Sequence, residues 1–345
     1  MSNETLRRFL DESLGDHRCI TVTPLPGGGS CDVFAVDRGP ARWVLRRAPR
    51  HASSASAHDV LREFRILDAI KDNPVRIAPP VLSCADVDVF GAPFYIMERV
   101  DGTPIRSAIP EAWTAQPGTQ GAALEQLIDA LVSIHAVDWE SCGLADMTRP
   151  GPYLPRQLTR WLGQLDSYGG RDLPAARRCA TWLEEQLPAE QPRTLFHGDY
   201  KLDNVLFAPE APPELLAVVD WEMAGIGDPL VDLAWALIFH PGPDGTMPLG
   251  VGREPAFAVT LLPSRGDLLE RYAAGSGRDV SAIGWYDVFA RWKLAIALEG
   301  SYVKFRNGLS DKPIHEFFGH QTDLLLSSAT AIIEDWRSRM NGETA

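Results

Sequence analysis

The stretch His197-Gly198-Asp199-Tyr200-Lys201-Leu202-Asp203-Asn204 decides how this chain is read, because sixteen residues after Asn204 an apolar run ends in Asp220. Phosphoryl transfer needs an oriented acceptor hydroxyl that gives up its proton, and metal to neutralise the charge of the triphosphate. One aspartate followed five positions later by an asparagine lets a single excursion of backbone supply a base, Asp199, and one metal ligand, Asn204. Hard Mg²⁺ takes oxygen donors and only one or two protein carboxylates beside phosphate oxygens. Asp220, returned by a hairpin of short strands at 205–207 and 215–219, is the carboxylate expected to complete the set.

Just downstream, Asp228-Pro229 reads as the start of a helix, with Asp228 as its cap and Pro229 at its first position, where no backbone donor is needed. Leu230, Leu233, Ala234 and Leu237 form its core face. Upstream, residues 21–45 alternate in strand fashion around turn clusters at 24–30 and 37–40, and a helical period follows over 58–70. Apolar runs at 80–84 and 93–100 suit a hairpin. This gives five strands and one helix in residues 1–100, and a mostly helical remainder in 101–345, with Asp101-Gly102-Thr103-Pro104 at the break. Helices are expected near 124–135, 175–187, 285–296 and 324–336, and mobile loops at 53–57 and 241–252. Alternation along the third strand puts Val44 and Arg46 on one face and Leu45 and Arg47 on the other, with Arg47 a solvated neighbour.

The 345 residues are 45% hydrophobic and 23% charged, which fits a soluble globular chain of two packed units. No apolar run reaches the ~18 residues of a membrane span, and the N-terminus lacks the apolar stretch of a signal peptide, so a cytoplasmic protein without membrane partners is expected. The five scattered cysteines show no zinc spacing. Residues 1–100 carry 13 Lys+Arg against 13 Asp+Glu, while 101–345 carry 20 against 33, so the whole net charge of −13 lies in the second part. That surface repels polyphosphate backbones and disfavours nucleic acid as a partner. It would attract a cationic ligand.

These motifs resemble the aminoglycoside phosphotransferase family of the protein-kinase-like fold, and within it the branch similar to the kinase-like part of certain acyl-CoA dehydrogenases. The likeness runs through Gly27-Gly28-Gly29-Ser30, Val44-Leu45-Arg46 and residues 58–64, 94–102, 197–204 and 218–222. It extends over Gly227-Asp228-Pro229-Leu230-Val231-Asp232-Leu233-Ala234 and so covers nearly the whole chain. The resemblance implies a two-lobed α+β fold with a small antiparallel-sheet N-lobe and a mostly helical C-lobe. It also implies a kinase that moves the γ-phosphate of ATP or GTP, with Mg²⁺, onto a hydroxyl of a small molecule such as a hydroxyacyl-CoA or an aminoglycoside-like alcohol. Asp199 would be the catalytic base, Asn204 and Asp220 the metal ligands, His197 a buried brace, and Asp232 a structural hold on the loop.

Gly27, Gly28, Gly29 and Ser30, set between two strands, are expected to lay backbone N–H groups over phosphates. Arg46 stands where a protein kinase carries lysine. It is expected to pair with Glu63 and to grip phosphate, since a guanidinium makes two parallel hydrogen bonds but is longer and planar. Between the lobes, Glu98 and Val100 would offer backbone groups to the nucleotide base. Glu222 replaces the glycine of the Asp-Phe-Gly triplet and no Ala-Pro-Glu follows, which points away from protein acceptors. The stripe Trp285, Phe289, Trp292 reads as helix core, although the resemblance leaves one or two of these rings near the acceptor. A nucleotide-binding pseudokinase that regulates a partner is the alternative; it would need a broken catalytic set, and Asp199, Asn204 and Asp220 are all present.

Overall fold

Five antiparallel strands, β1 Thr21–Pro24, β2 Asp32–Arg38, β3 Ala41–Arg47, β4 Pro80–Cys84 and β5 Phe94–Glu98, pair in the order β1-β2-β3-β5-β4. The computed structural model describes residues 3–26, 31–49, 59–106, 108–116, 118–240 and 262–342. The expected phosphate-covering Gly27, Gly28, Gly29 and Ser30 lie outside the described residues, as do the loops expected at 53–57 and 241–252. Arg38 pairs with Ala41, so only Gly39-Pro40 turns the chain from β2 to β3, and Gly39 takes a φ of +58°. Side chains with a Cβ resist that value.

The two faces of this sheet face different neighbours. Val36, Leu45, Phe94 and Ile96 pack on one side against Leu6 and Leu10 of helix α1 (Asn3–Leu14). Burying these two leucines contributes about 1.5–3 kcal/mol each. That docks a helix whose length, 12 residues, is marginal in isolation. On the other side Tyr95 and Met97 join Val60, Ile66, Leu67 and Ile70 of α2 (Val60–Ile70), and this core continues without a break into the helical part of the chain. Asp59 caps α2 by accepting from Arg62 N at 3.0 Å.

β4 and β5 pair antiparallel as the expected hairpin, and their connection holds a short helix, α3 (Val87–Phe90), because Asp86 accepts from Asp88 N at 2.9 Å and starts a helical turn there. One expectation for this region needs correction: Arg47 is not solvated but buried. It bonds Asp32 at 2.7 Å and the Phe90 carbonyl at 2.9 Å, and lies 5.0 Å and 4.9 Å from the centroids of Phe34 and Phe90. The outer face of the sheet is roofed by α1 and α3, so the alternation is correct while the face it assigns to water is a second core.

The rest of the chain is helical: α4 Glu111–Thr114, α5 Thr119–His135, α6 Tyr153–Ser167, α7 Pro174–Glu185, α8 Leu230–Leu237, α9 Arg265–Ser276, α10 Ile283–Arg306 and α11 Ile314–Gly342. Short strands β6 Thr103–Pro104, β8 Val205–Phe207 and β9 Leu215–Val218 make a three-stranded sheet, and β7 Thr194–Phe196 pairs with β10 Gly225–Gly227. The segments join where Val218 N donates to Arg76 O at 2.8 Å. Helix α8 starts at Leu230, one residue later than expected. Asp228 still takes its first N–H, that of Leu230, at 3.0 Å, and also binds the Tyr286 hydroxyl at 2.7 Å. The α10 rings are core: Trp285 and Trp292 are buried and donate to the α7 carbonyls of Leu183 and Ala176 at 3.0 and 2.9 Å.

Candidate active site

The loop from β7 to β8 is shaped by backbone chemistry before any ligand is considered. Gly198 has a φ of +87°, and a Cβ placed there would come within 2.4 Å of the Met223 carbonyl, so no other residue fits. From α8 the fully buried Asp232 accepts His197 N at 2.5 Å and Gly198 N at 2.7 Å. Burial alone would raise the Asp232 carboxyl, but His135 and His197 outweigh it and hold it below the usual carboxylate range. His197 Nδ1 accepts from Asp199 N at 3.3 Å, which leaves Nε2–H to donate to Val219 O at 3.0 Å and fixes the tautomer. His197 and Asp232 thus occupy the bracing positions expected of them.

The brace presents Asp199 with both oxygens engaged. Oδ1 accepts from Lys201 Nζ at 2.7 Å and Trp235 Nε1 at 2.9 Å. Oδ2 accepts from Lys201 Nζ at 2.6 Å and Asn204 Nδ2 at 2.9 Å. Asn204 Nδ2 also reaches the Asp199 carbonyl at 2.9 Å, so its amide nitrogen is occupied and its Oδ1 is left for a cation. Val219 N donates to Asn204 O at 2.9 Å and brings the next residue, Asp220, beside the loop. Among the described residues Asp220 alone has a positive φ without being glycine, +69°. That conformation costs an L-residue roughly 1–2 kcal/mol, strain of the kind that collects at functional positions.

Across the cleft, the expected Arg46–Glu63 pair is present. Arg46 Nε lies 3.2 Å from Glu63 Oε2, with the N–H directed off the oxygen, so the pair is Coulombic and not a hydrogen bond. The guanidinium also hydrogen-bonds Asp220 Oδ1 at 2.8 Å. Glu63 Oε1 accepts from Trp221 N at 3.0 Å, so one α2 carboxylate contacts both the arginine and the backbone immediately after Asp220. Burial pushes the Glu63 carboxyl up to about 7, against the opposing pull of Arg46. Burial alone would lower Arg46, but Glu63 and the nearby Asp220 reverse this and raise it. Arg62, one position before Glu63, ties α2 to the same segment through the Ala224 carbonyl at 2.5 Å.

A strand-delivered aspartate, a braced loop with Asp and Asn five apart, and a cation paired across to a helix glutamate thus lie together in this structure. The model of the phosphotransferase enzyme family matches residues 21–274. The chain belongs to that family. It is 32% identical over 304 residues to acyl-CoA dehydrogenase family member 11 of Gallus gallus, a match that covers 86% of this chain and 38% of that protein. It is 28% identical over 329 residues to acyl-CoA dehydrogenase family member 10 of Mus musculus, covering 94% of this chain and 30% of that protein. The chain therefore spans well under half the length of these relatives. Its fold is similar to that of a candidate aminoglycoside phosphotransferase from Ralstonia eutropha JMP134, with a TM-score of 0.79, 25% identity, and coverage of 96% of this chain and 98% of that one. The kinase-like α+β fold is thereby shown.

Within this phosphotransferase-family site, the donor set suits a hard divalent ion. Asn204 Oδ1 and the Asp220 carboxylate supply an amide oxygen and one acid, which matches Mg²⁺ better than a metal that needs an all-protein cage. At the junction of the lobes, Glu98 N donates to Pro79 O at 2.8 Å and Val100 O accepts from Gly102 N at 3.0 Å. The groups of these two residues left for a base are the Glu98 carbonyl and the Val100 N–H.

Three residues at the site carried no role in the sequence reading. Lys201 lies within the decisive stretch itself. Trp235 sits three positions after Asp232, on the same face of α8, a spacing that could have placed it beside the loop. Lys293 approaches Gly198 O at 3.3 Å from α10, hidden in an aromatic helix.

Proposed function

We propose that this chain moves the γ-phosphate of ATP or GTP onto a hydroxyl of a small molecule. The observation that carries the reading is the convergence of Asp199, Asn204 and Asp220 on one loop-and-hairpin frame, with Arg46 and Glu63 facing Asp220. In this reading Asp199 orients the acceptor hydroxyl and takes its proton. Both Asp199 oxygens already receive two donors each, so the acceptor O–H replaces a Lys201 N–H; Lys201, with a side-chain exposure of 24%, is the partner with room to swing away. Asn204 Oδ1 and Asp220 hold Mg²⁺, which when bound neutralises phosphate charge. Arg46 contributes a further positive charge at the phosphates, and the Glu98 carbonyl and Val100 N–H take the base.

Beside Asp199 stands Lys201, and Lys293 reaches the same loop from α10, with Arg160, Asp199 and Asp232 among the charges that act on it. These cations stand against the pull that the acidic chain exerts on a cationic alcohol. We favour a neutral or anionic hydroxyl compound, such as a hydroxyacyl thioester, as acceptor, which the similarity to proteins named acyl-CoA dehydrogenases supports. Of the arginines that could serve distant phosphates, Arg156 is bound to the Pro150 carbonyl and Arg177 to Asp166, each at 2.8 Å. Arg160 and Arg178 remain. The test is stimulated ADP or GDP release across hydroxyacyl-CoA esters, free hydroxy acids and amino alcohols. Stimulation by amino alcohols alone would overturn the acceptor class, and stimulation by none would overturn transfer to a small molecule.

A further inference from the structure

We infer that Lys293 is a positioning residue for phosphoryl transfer, holding Asp199 in place through the ring of Trp235. The inference rests on the functional reading above. Lys293 lies in the stretch of α10 where residues 285–296 are all buried, in company that would ordinarily call for an apolar side chain. Burying an ammonium costs several kcal/mol unless its surroundings compensate, yet among the described residues it makes one hydrogen bond, to Gly198 O at 3.3 Å. What compensates is the pull of the Asp232 and Asp199 carboxylates together with the indole of Trp235, whose centroid lies 4.2 Å from Nζ, and more distantly that of Trp161 at 5.8 Å.

The Trp235 ring is in turn the donor to Asp199 Oδ1 at 2.9 Å, and its other neighbour, Phe239, meets it edge to face at 5.8 Å. A cation on the face of an indole draws ring electron density toward itself. That makes Nε1–H a stronger donor and fixes the ring angle at which it meets the carboxylate. A lysine that only supported the loop would need Gly198 O alone; the stacking on Trp235 adds a second connection that ends on the carboxylate proposed to receive the proton.

The charged groups facing Lys293 are Asp199 and Lys201 of the loop, Asp232 of α8 and Arg160 of α6. Burial pulls its ammonium down to about 8; Asp232 and Asp199 resist this, while Arg160 and Lys201 add to it. Its charge is therefore present at neutral pH and lost as pH rises through about 8, and with it the hold on Trp235.

The experiment compares wild type, Lys293→Met, Trp235→Phe and the double variant, each checked for folding by thermal unfolding and by nucleotide binding. Lys293→Met should lower kcat by about 10-fold to 10²-fold, the scale of a small misplacement of a reacting group, with KM for nucleotide unchanged. The wild-type fall in kcat above pH 8 should vanish in this variant. The double variant should be no slower than the slower single one, because both act on one connection. Wild-type indole emission should change near pH 8, and that change should be absent in both single variants, a readout that needs no turnover. Multiplying losses in the double variant, or an unchanged kcat in Lys293→Met, would falsify the positioning role. A wild type that turns over no acceptor overturns the functional reading and this role with it, and the emission change then tells that failure apart from a missing Lys293–Trp235 contact.

Discussion

The two ionic clusters that meet at Asp220 are built by opposite means. Around Asp199 the partners are close in sequence, Lys201 and Asn204, or come from a single helix, Asp232 and Trp235, and backbone N–H groups do much of the holding. Around Arg46 the partners are side chains from α2 and from a position 174 residues away, and Glu63 is almost fully buried. The first cluster is built from one loop and one helix, with Lys293 of α10 behind them. The second exists only when sheet, α2 and the helical part are docked together. Damage to the first should therefore appear in chemistry, and damage to the second in stability and nucleotide binding.

The largest expected effect tests the first half of that contrast. Asp199→Asn should cut turnover by about 10²–10⁴-fold, the usual contribution of a general base, and leave Mg·nucleotide affinity nearly intact. Near-normal turnover on the best acceptor would remove Asp199 from its role. Asp220→Asn should lower turnover too, but should also weaken nucleotide binding in a way that added magnesium partly restores, because it alters a carboxylate assigned to the metal. Titration with a non-hydrolysable nucleotide at several magnesium concentrations separates the two variants. Identical magnesium dependence in wild type and Asp220→Asn would place the metal elsewhere.

The same contrast explains what could be read from sequence. The loop was legible because its chemistry fixes residue types at fixed spacing, and because Val205 pairs with Val218, which returns Asp220 to Asn204. Arg46 and Glu63 were legible through the resemblance, which sets Arg46 where a protein kinase carries lysine and pairs it with a helix glutamate; the helical period of α2 alone left Glu63 off the apolar face, although it is buried. Lys293 was not, because α10 is buried nearly all round and has no polar face against which a lysine stands out. The strands β7 and β10 have 3 residues each, too few for a period of two to register. Helix α6 carries Pro155 and Gly163 within its span, which blurs its pattern. Arg47 was misread because strand alternation tells which side a residue faces and not what covers that side.

Arg46 and Arg47, neighbours on β3, sharpen the second half. Arg47→Met would free Asp32, whose side chain is 45% exposed and stays solvated, and would lose the Phe90 carbonyl and two ring contacts. An unmet buried acceptor costs about 1–3 kcal/mol, and urea unfolding should show a loss on that scale with nucleotide affinity unchanged. Arg46→Met strips a buried carboxylate of its partner, which costs about 3–5 kcal/mol if Glu63 stays ionised. Because burial already holds Glu63 high, it can take up a proton and limit the loss at neutral pH. Calorimetry with magnesium present should also show weakened nucleotide binding. If the two variants bind nucleotide equally well, Arg46 does not occupy the kinase-lysine position.

The smallest effect concerns the proton on Glu63 itself. Its carboxyl is raised from 4.5 to about 7 by burial, even with Arg46 beside it. A raised folded-state pKa means that the native protein binds the proton more tightly than the unfolded chain does. The resulting stability is complete below about 4.5 and is lost as pH rises through about 7. Glu63→Gln keeps the shape and removes the titration. The unfolding free energy of wild type minus that of Glu63→Gln should therefore fall between pH 5 and about 7 and then level off, measured by urea denaturation at each pH from 5 to 8. Carboxylates held low elsewhere, such as Asp232, contribute the opposite slope, but they are common to both proteins and cancel in the difference. A difference that stays flat over this range would mean that Arg46 outweighs burial and Glu63 is an ordinary ion-paired carboxylate, whose titration lies below about 4.5. The cluster at Arg46 would then be held by charge across this pH range, and its contrast with the cluster at Asp199 would reduce to distance along the chain.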